Sequence, residues 1–167
     1  MARVPPIVVA RVRNGRGIVA AQDRGRDERI TVLRGAVISA ARVLGLWRRN
    51  PRRAANCIRC GRDAYLDPAG EWGEFANHSC RPNAVIRVER GVLVLRAVRA
   101  IRAGDEVTHD YSTCLGADDV WTMRCNCGER CCRGRVERFD RLPTSLRRRY
   151  ARLGAIPSFI LETAGRP

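Results

Sequence analysis

Residues Asn77-His78-Ser79-Cys80-Arg81-Pro82-Asn83 put two amides, an imidazole, a hydroxyl, a thiol and a proline into seven consecutive positions. Such a run is too polar for a core strand. Buried polar groups need partners, so the segment must form a structured turn whose side chains and backbone are in use. The thiol in its middle needs its own explanation. Cys125-Asn126-Cys127-Gly128-Glu129-Arg130-Cys131-Cys132-Arg133-Gly134 offers candidate partners.

Either side of this turn, short β-branched runs alternate with glycine turns. Ile7–Val12 and Ile18–Ala21 flank Asn14-Gly15-Arg16-Gly17, and Ile30–Leu33 and Ala36–Ser39 flank Gly35. Ala64–Asp67 is a brief strand. Ala84–Glu89 and Val92–Val98 form a hairpin turning at Arg90-Gly91. A turn at Arg102–Asp105 leads to a last strand, Glu106–Tyr111. This pattern predicts a mainly β fold with short helices. The helices expected are Ala40–Trp47, ending before Asn50-Pro51, one capped by Thr144, and a short one over 158–163. Residues 48–63 read as an arginine-rich loop or insertion carrying Cys57 and Cys60, most simply two free thiols.

At 167 residues the chain is long enough to bury a core as one domain. It has no apolar run of about 18 residues, and the apolar run after Pro6 is too short for a signal peptide. A cytoplasmic protein is the default expectation. Eight cysteines there point to metal or catalysis before disulfides. The net charge is +15, and all 32 basic residues are arginine. That surface attracts phosphates and acidic proteins. Nucleic acid is a partner it permits and does not require, and no membrane partner is expected.

Cys125, Cys127 and Cys132 form an incomplete zinc cage, with Cys131 as a competing third thiol. A structural zinc takes four ligands, so the fourth must come from Cys80, Cys114 or one of Cys57 and Cys60.

In three blocks the chain resembles SET-domain protein lysine methyltransferases. Gly15-Arg16-Gly17 followed by Ile18-Val19-Ala20 is similar to the family's early Gly-x-Gly motif. Asn77–Asn83 reads as its Asn-His-Ser-Cys-x-Pro-Asn signature, and Gly104–Tyr111 is similar to its late Gly-Glu-Glu-Leu-Thr-x-Asp-Tyr block. Cys125–Gly134 resembles the post-SET tail, and the likeness is nearest to small stand-alone bacterial members. The resemblance implies small sheets around a pseudoknot, with a SET domain over 7–114 (divergent at about 48–63). A post-SET zinc segment over 115–136 and a helical extension over 137–167 would follow.

The resemblance also implies chemistry. Gly15, Arg16, Gly17, Asn77, His78 and Tyr111 would contact S-adenosylmethionine. Cys80 would close a zinc cage with Cys125, Cys127 and Cys132. Tyr111 would be the central catalytic residue in methyl transfer to the ε-amino group of a lysine in a protein. The alternatives are transfer to a peptide, amino acid or small amine, and a catalytically weak zinc-dependent binding module.

Two departures stand out. His109 replaces the aromatic that influences how many methyls are added, and is expected to hydrogen-bond or deprotonate the substrate amine. Glu74 stands where an arginine usually precedes the Phe75 position. Acidic residues around the motifs, Asp118 and Asp119 among them, suggest a local acidic entrance on a basic body.

Overall fold

The computed structural model describes residues 6–164. The reading of the first residues as lacking a signal peptide falls mostly on 1–5, outside that range. In chain order the strands and helices begin with β1 (Ile7–Val12), β2 (Gly15–Ala20), β3 (Arg29–Val32), β4 (Ala36–Ser39), α1 (Ala40–Arg49) and α2 (Pro51–Asn56). Next come β5 (Ile58–Gly61), β6 (Ala64–Asp67), β7 (Ala84–Glu89) and β8 (Val92–Ala97). The chain continues with β9 (Met123–Arg124), β10 (Arg135–Val136), α3 (Thr144–Arg152) and α4 (Ser158–Ala164).

The strands make four small antiparallel sheets, ordered β1-β2, β3-β8-β7, β4-β6-β5 and β10-β9. As expected, the architecture is mainly β with short helices. Ile7, Ile18, Ile86, Leu95, Ile101 and Val107 are fully buried together and join the sheets into one core. Each such side chain stabilises the fold by about 1.5–3 kcal/mol relative to exposure.

The late block threads this core. Its residues 105–107 bond to β2 through Ala20 N–H to Asp105 O and Val107 N–H to Ile18 O, at 3.0 and 2.8 Å. Residues 108–109 bond to the polar turn on the other side. Ser79 N–H donates to His109 O, His109 N–H to Asn77 O and Ala84 N–H to Thr108 O. Asn83 clamps the crossing with its side chain, accepting from Thr108 N–H and donating to Glu106 O. The segment is therefore strung between two earlier pieces of chain, as a pseudoknot requires.

Three local expectations are corrected. Residues 106–110 are extended but among the described residues pair only through single bridges, Val19 with Glu106 and His78 with His109, because the neighbours on the two sides are different segments, and Tyr111 already belongs to a 3-10 turn. Residues 48–63 are not an irregular loop. Asn50 accepts from Arg53 N–H and starts α2 with Pro51 at its first position, and β5 then pairs with β6. Thr144 does not cap α3: it is the first helical residue, Pro143 occupies the cap, and no side chain bonds there.

The extension after the cysteines packs as a second core. Phe139, Leu142, Tyr150, Ala155, Phe159 and Ile160 bury against Val85 of β7.

Candidate active site and thiol cluster

The hairpin β1-β2 brings Gly15–Gly17 beside the polar turn. Asn77 Nδ2 donates to Arg16 O at 3.0 Å and to Glu106 Oε1 at 2.8 Å. A Cβ on Gly17 would lie 2.6 Å from Glu106 Oε1 and 2.9 Å from Asn77 Nδ2, so glycine is what permits this approach. The Arg16 guanidinium stacks 4.2 Å over the Phe75 ring.

His78 is buried, and both its ring nitrogens are engaged. Tyr111 N–H donates to Nδ1 at 3.2 Å, which leaves the proton on Nε2, 3.4 Å from Cys80 Sγ. Burial pulls its pKa down to about 4 against the opposing pull of Asp110, so the ring is neutral. Any cofactor contact at position 78 therefore falls to its backbone.

Tyr111 opens a 3-10 turn, Tyr111–Cys114, started by Asp110 accepting from Ser112 N–H. Its hydroxyl donates to Ala76 O at 2.8 Å. Burial raises the phenol pKa, so it stays protonated. The His109 ring centroid lies 5.0 Å from that of Tyr111. Burial first, and the neighbouring His78 second, pull His109 down to about 4. It is neutral near pH 7 and too weak a base to take a proton from an ammonium group. Its Nδ1 is buried without a hydrogen-bond partner among the described residues.

Tyr111 and His109 face a cavity of about 440 Å³. Its other walls include Val43, Leu44 and Trp47 of α1, Ile58 of β5, and Val120 and Trp121. The region read as an irregular insertion thus supplies much of the wall. Of the expected cofactor residues Tyr111 lines it, and Gly15–Gly17, Asn77 and His78 do not. A second, open depression lies between the Arg13-Asn14 turn and the cysteine-rich segment.

The ligand atoms of Cys80, Cys125, Cys127 and Cys132 all lie within 4.8 Å of one another, with Cys80 and Cys125 sulfurs 3.8 Å apart. The donor set fits zinc: four thiols, with surrounding N–H groups that favour thiolates. Arg133 N–H points at Cys80 Sγ and Gly134 N–H at Cys132 Sγ, each at 3.4 Å. Of the open candidates, Cys80 joins the cluster. Cys131 is exposed, and Cys57, Cys60 and Cys114 stand outside as free thiols. Arg13 packs on Gly128, where a Cβ would come within 2.6 Å of its guanidinium, and so ties the β1-β2 turn to the thiol segment.

Four functional groups escaped the sequence. Asp110 is completely buried, accepts from Arg133 at 2.8 Å and from the Tyr150 hydroxyl at 2.8 Å, and lies 3.4 Å from His78 Nδ1. Arg59, only 4% exposed, donates to Asp118 and Asp119 at 2.6 and 2.8 Å. The expected acidic entrance is therefore largely neutralised from within. The Asp-Tyr pair of the late block was a usable signal for Asp110. For Arg59, Arg133 and Tyr150 no local pattern existed.

These parts define a class: small sheets crossed by a late segment, an aromatic-lined cavity on one side and a thiol cluster on the other. The family model for the SET domain matches residues 15–112, more than half of the chain, and the chain belongs to that family. Histone-lysine N-methyltransferase ASHR3 of Arabidopsis thaliana is 33% identical over 129 residues, covering 72% of this chain and 25% of that protein. A SET domain-containing protein of Phaeosphaeria nodorum is 31% identical over 140 residues, 77% of this chain and 21% of that protein. Histone-lysine N-methyltransferase 2B of Homo sapiens is 41% identical over 68 residues, 38% of this chain and 2% of that protein. The chain thus spans about a quarter or less of these relatives. They come from a plant, a fungus and an animal, and lend no support to the likeness to bacterial members. No helix among the described residues is long and apolar enough to cross a membrane.

Proposed function

We propose that the chain transfers a methyl group to the ε-amino group of lysine in a protein substrate. The observation that carries this is the pair of uncharged side chains, Tyr111 and His109, at one largely apolar cavity. Gly15, Arg16, Gly17, Asn77, His78 and Tyr111 would contact S-adenosylmethionine, which when bound would supply the electrophilic methyl. The missing Cβ of Gly17 makes room for Asn77 and Glu106, which holds the β1-β2 hairpin against the polar turn.

A lysine ammonium entering the cavity loses its proton more readily there than in water, because apolar walls disfavour its charge. Tyr111 spends its own proton on Ala76 O, which leaves its oxygen lone pairs to accept from the amine. The uncharged His109 ring packs beside Tyr111 at the same cavity. Holding the amine lone pair in one direction is the main contribution an enzyme makes to a displacement at a methyl carbon. His109 acts in this account as an orienting group, not as the base.

A zinc held by Cys80, Cys125, Cys127 and Cys132 would be structural. It would tie the polar turn, through Cys80, to the segment that closes on the β1-β2 hairpin. Incubating zinc-loaded protein with S-adenosylmethionine labelled at the methyl group, separately with proteins and with small amines, tests the reading. Label in protein lysine supports it, and label only in small amines replaces it. Failure to bind the cofactor in calorimetry would leave a zinc-dependent binding module.

A further inference from the structure

The cavity beside Tyr111 is built from apolar side chains and from carboxylates that are already engaged. Asp118 and Asp119 are held by Arg59, which also donates to Gly61 O and Arg62 O and lies 5.9 and 5.1 Å from the Tyr65 and Phe159 ring centroids. Asp119 further accepts from Tyr65 OH and Gly116 N–H. Asp63 accepts from Ala40 N–H, and Glu74 from Gly70 N–H. Of the four acidic groups that face the cavity, Asp118 and Asp119 are thus neutralised by Arg59, while Asp63 and Glu74 each accept one backbone N–H; beyond the cavity lies a chain of net charge +15.

The apolar wall, in contrast, is open. Leu44 is 62% exposed and Val120 94% exposed, and Trp47 and Trp121 line the same cavity. Its volume of about 440 Å³ falls among pockets of roughly 300–1,000 Å³ that enclose whole drug-sized ligands, far more than one lysine stem fills.

We propose that this cavity takes the target lysine together with a large apolar side chain next to it, on a substrate segment whose neighbouring residues are not basic. The lysine stem lies towards Tyr111 and His109, and the apolar neighbour packs on Leu44, Trp47 and Val120. Arginines or lysines flanking the target find the Asp118–Asp119 pair already held by Arg59 and are repelled at longer range by the basic body. The inference rests on the lysine-methyltransferase reading for its target residue and departs from an acidic entrance suited to basic tails.

Binding separates the two questions, because it needs no methyl transfer. Fluorescence anisotropy on the zinc-loaded chain, at about 150 mM salt, compares two labelled peptides with one central lysine each. One has leucine or phenylalanine on both sides of it, and the other has arginine. The expected result is binding of the apolar-flanked peptide at least about tenfold tighter, the worth of one buried side chain. Val120→Glu, on an exposed position that carries no fold, should weaken that peptide by roughly fivefold or more and narrow the gap to the arginine peptide. Equal or tighter binding of the arginine peptide overturns the proposal, as does an unaltered affinity in Val120→Glu. Selective binding without label transfer would sink the methyltransferase reading and leave this one standing. Efficient methylation of the arginine peptide would do the reverse.

Discussion

The hydroxyl of Tyr150 stands 2.8 Å from the carboxylate of Asp110, forty residues earlier in the chain and completely buried. Arg133 holds the same carboxylate from the thiol segment, and His78 lies against it. One buried anion therefore joins the polar turn, the residue before Tyr111, the thiol segment and the C-terminal extension. Tyr150→Phe keeps the ring in its core and removes one bond to Asp110. Stability should fall by about 1–2 kcal/mol in urea titration. If the bond also holds Tyr111 in place, kcat falls several-fold while the KM for cofactor stays put.

Tyr111→Phe deletes the phenol oxygen and the bond to Ala76 O. A loss of about 100-fold in kcat is expected, the usual effect of removing one preorganised group at a reacting centre. The melting temperature should shift only by the worth of one hydrogen bond, about 1 kcal/mol. Near-normal turnover would remove Tyr111 from the reaction.

Cys80→Ser breaks the thiol cluster and replaces the sulfur beside His78 Nε2 with a hydroxyl oxygen. Zinc per chain and methyl transfer should fall together, the latter by more than about tenfold. Metal analysis that finds one zinc per chain with normal turnover counts against the cage.

Asp118→Asn with Asp119→Asn leaves the guanidinium of Arg59 buried without its counter-charges. The cost should be about 2–4 kcal/mol, below that of a fully buried pair because Asp118 is more than half exposed. Urea unfolding of the double variant measures it. Affinity for a basic peptide should not drop in proportion, because these carboxylates serve the wall.

His109 is neutral in the folded protein down to about pH 4, whereas an unfolded histidine takes up its proton near 6.5. Between those values the unfolded chain binds more protons, so stability falls as pH drops through this window, by up to about 3 kcal/mol from this residue. His109→Phe has no such proton to gain. The difference in unfolding free energy between variant and parent should therefore shift in favour of the variant between pH 6.5 and 4, and stay flat above 7.

Much of this was legible in the sequence, for one physical reason: local motifs carry their own geometry. Asn77–Asn83 announced a turn with an employed thiol, and the cysteine spacing called for a fourth ligand. What stayed hidden depended on distance along the chain. Arg59 sits between Cys57 and Cys60, whose spacing drew attention to the sulfurs, while its carboxylates arrive some sixty residues later. Tyr150 lies on a short helix, forty residues after the carboxylate its hydroxyl bonds. Residues 48–63 lacked a strong period because α2 and β5 are short and take much of their order from β6 and α1.

The threaded segment has a consequence for how the chain is made. Both of its walls, β2 and the polar turn, are synthesised before it, and neither can close correctly without it. A nascent chain halted before Tyr111 would hold two half-built surfaces and an exposed apolar seam. Assembly must wait for distant contacts, which slows folding and lengthens the interval in which a chaperone is useful. Release of successively longer stalled chains should show protease resistance appearing abruptly once residues 105–111 have left the ribosome, and not in gradual steps.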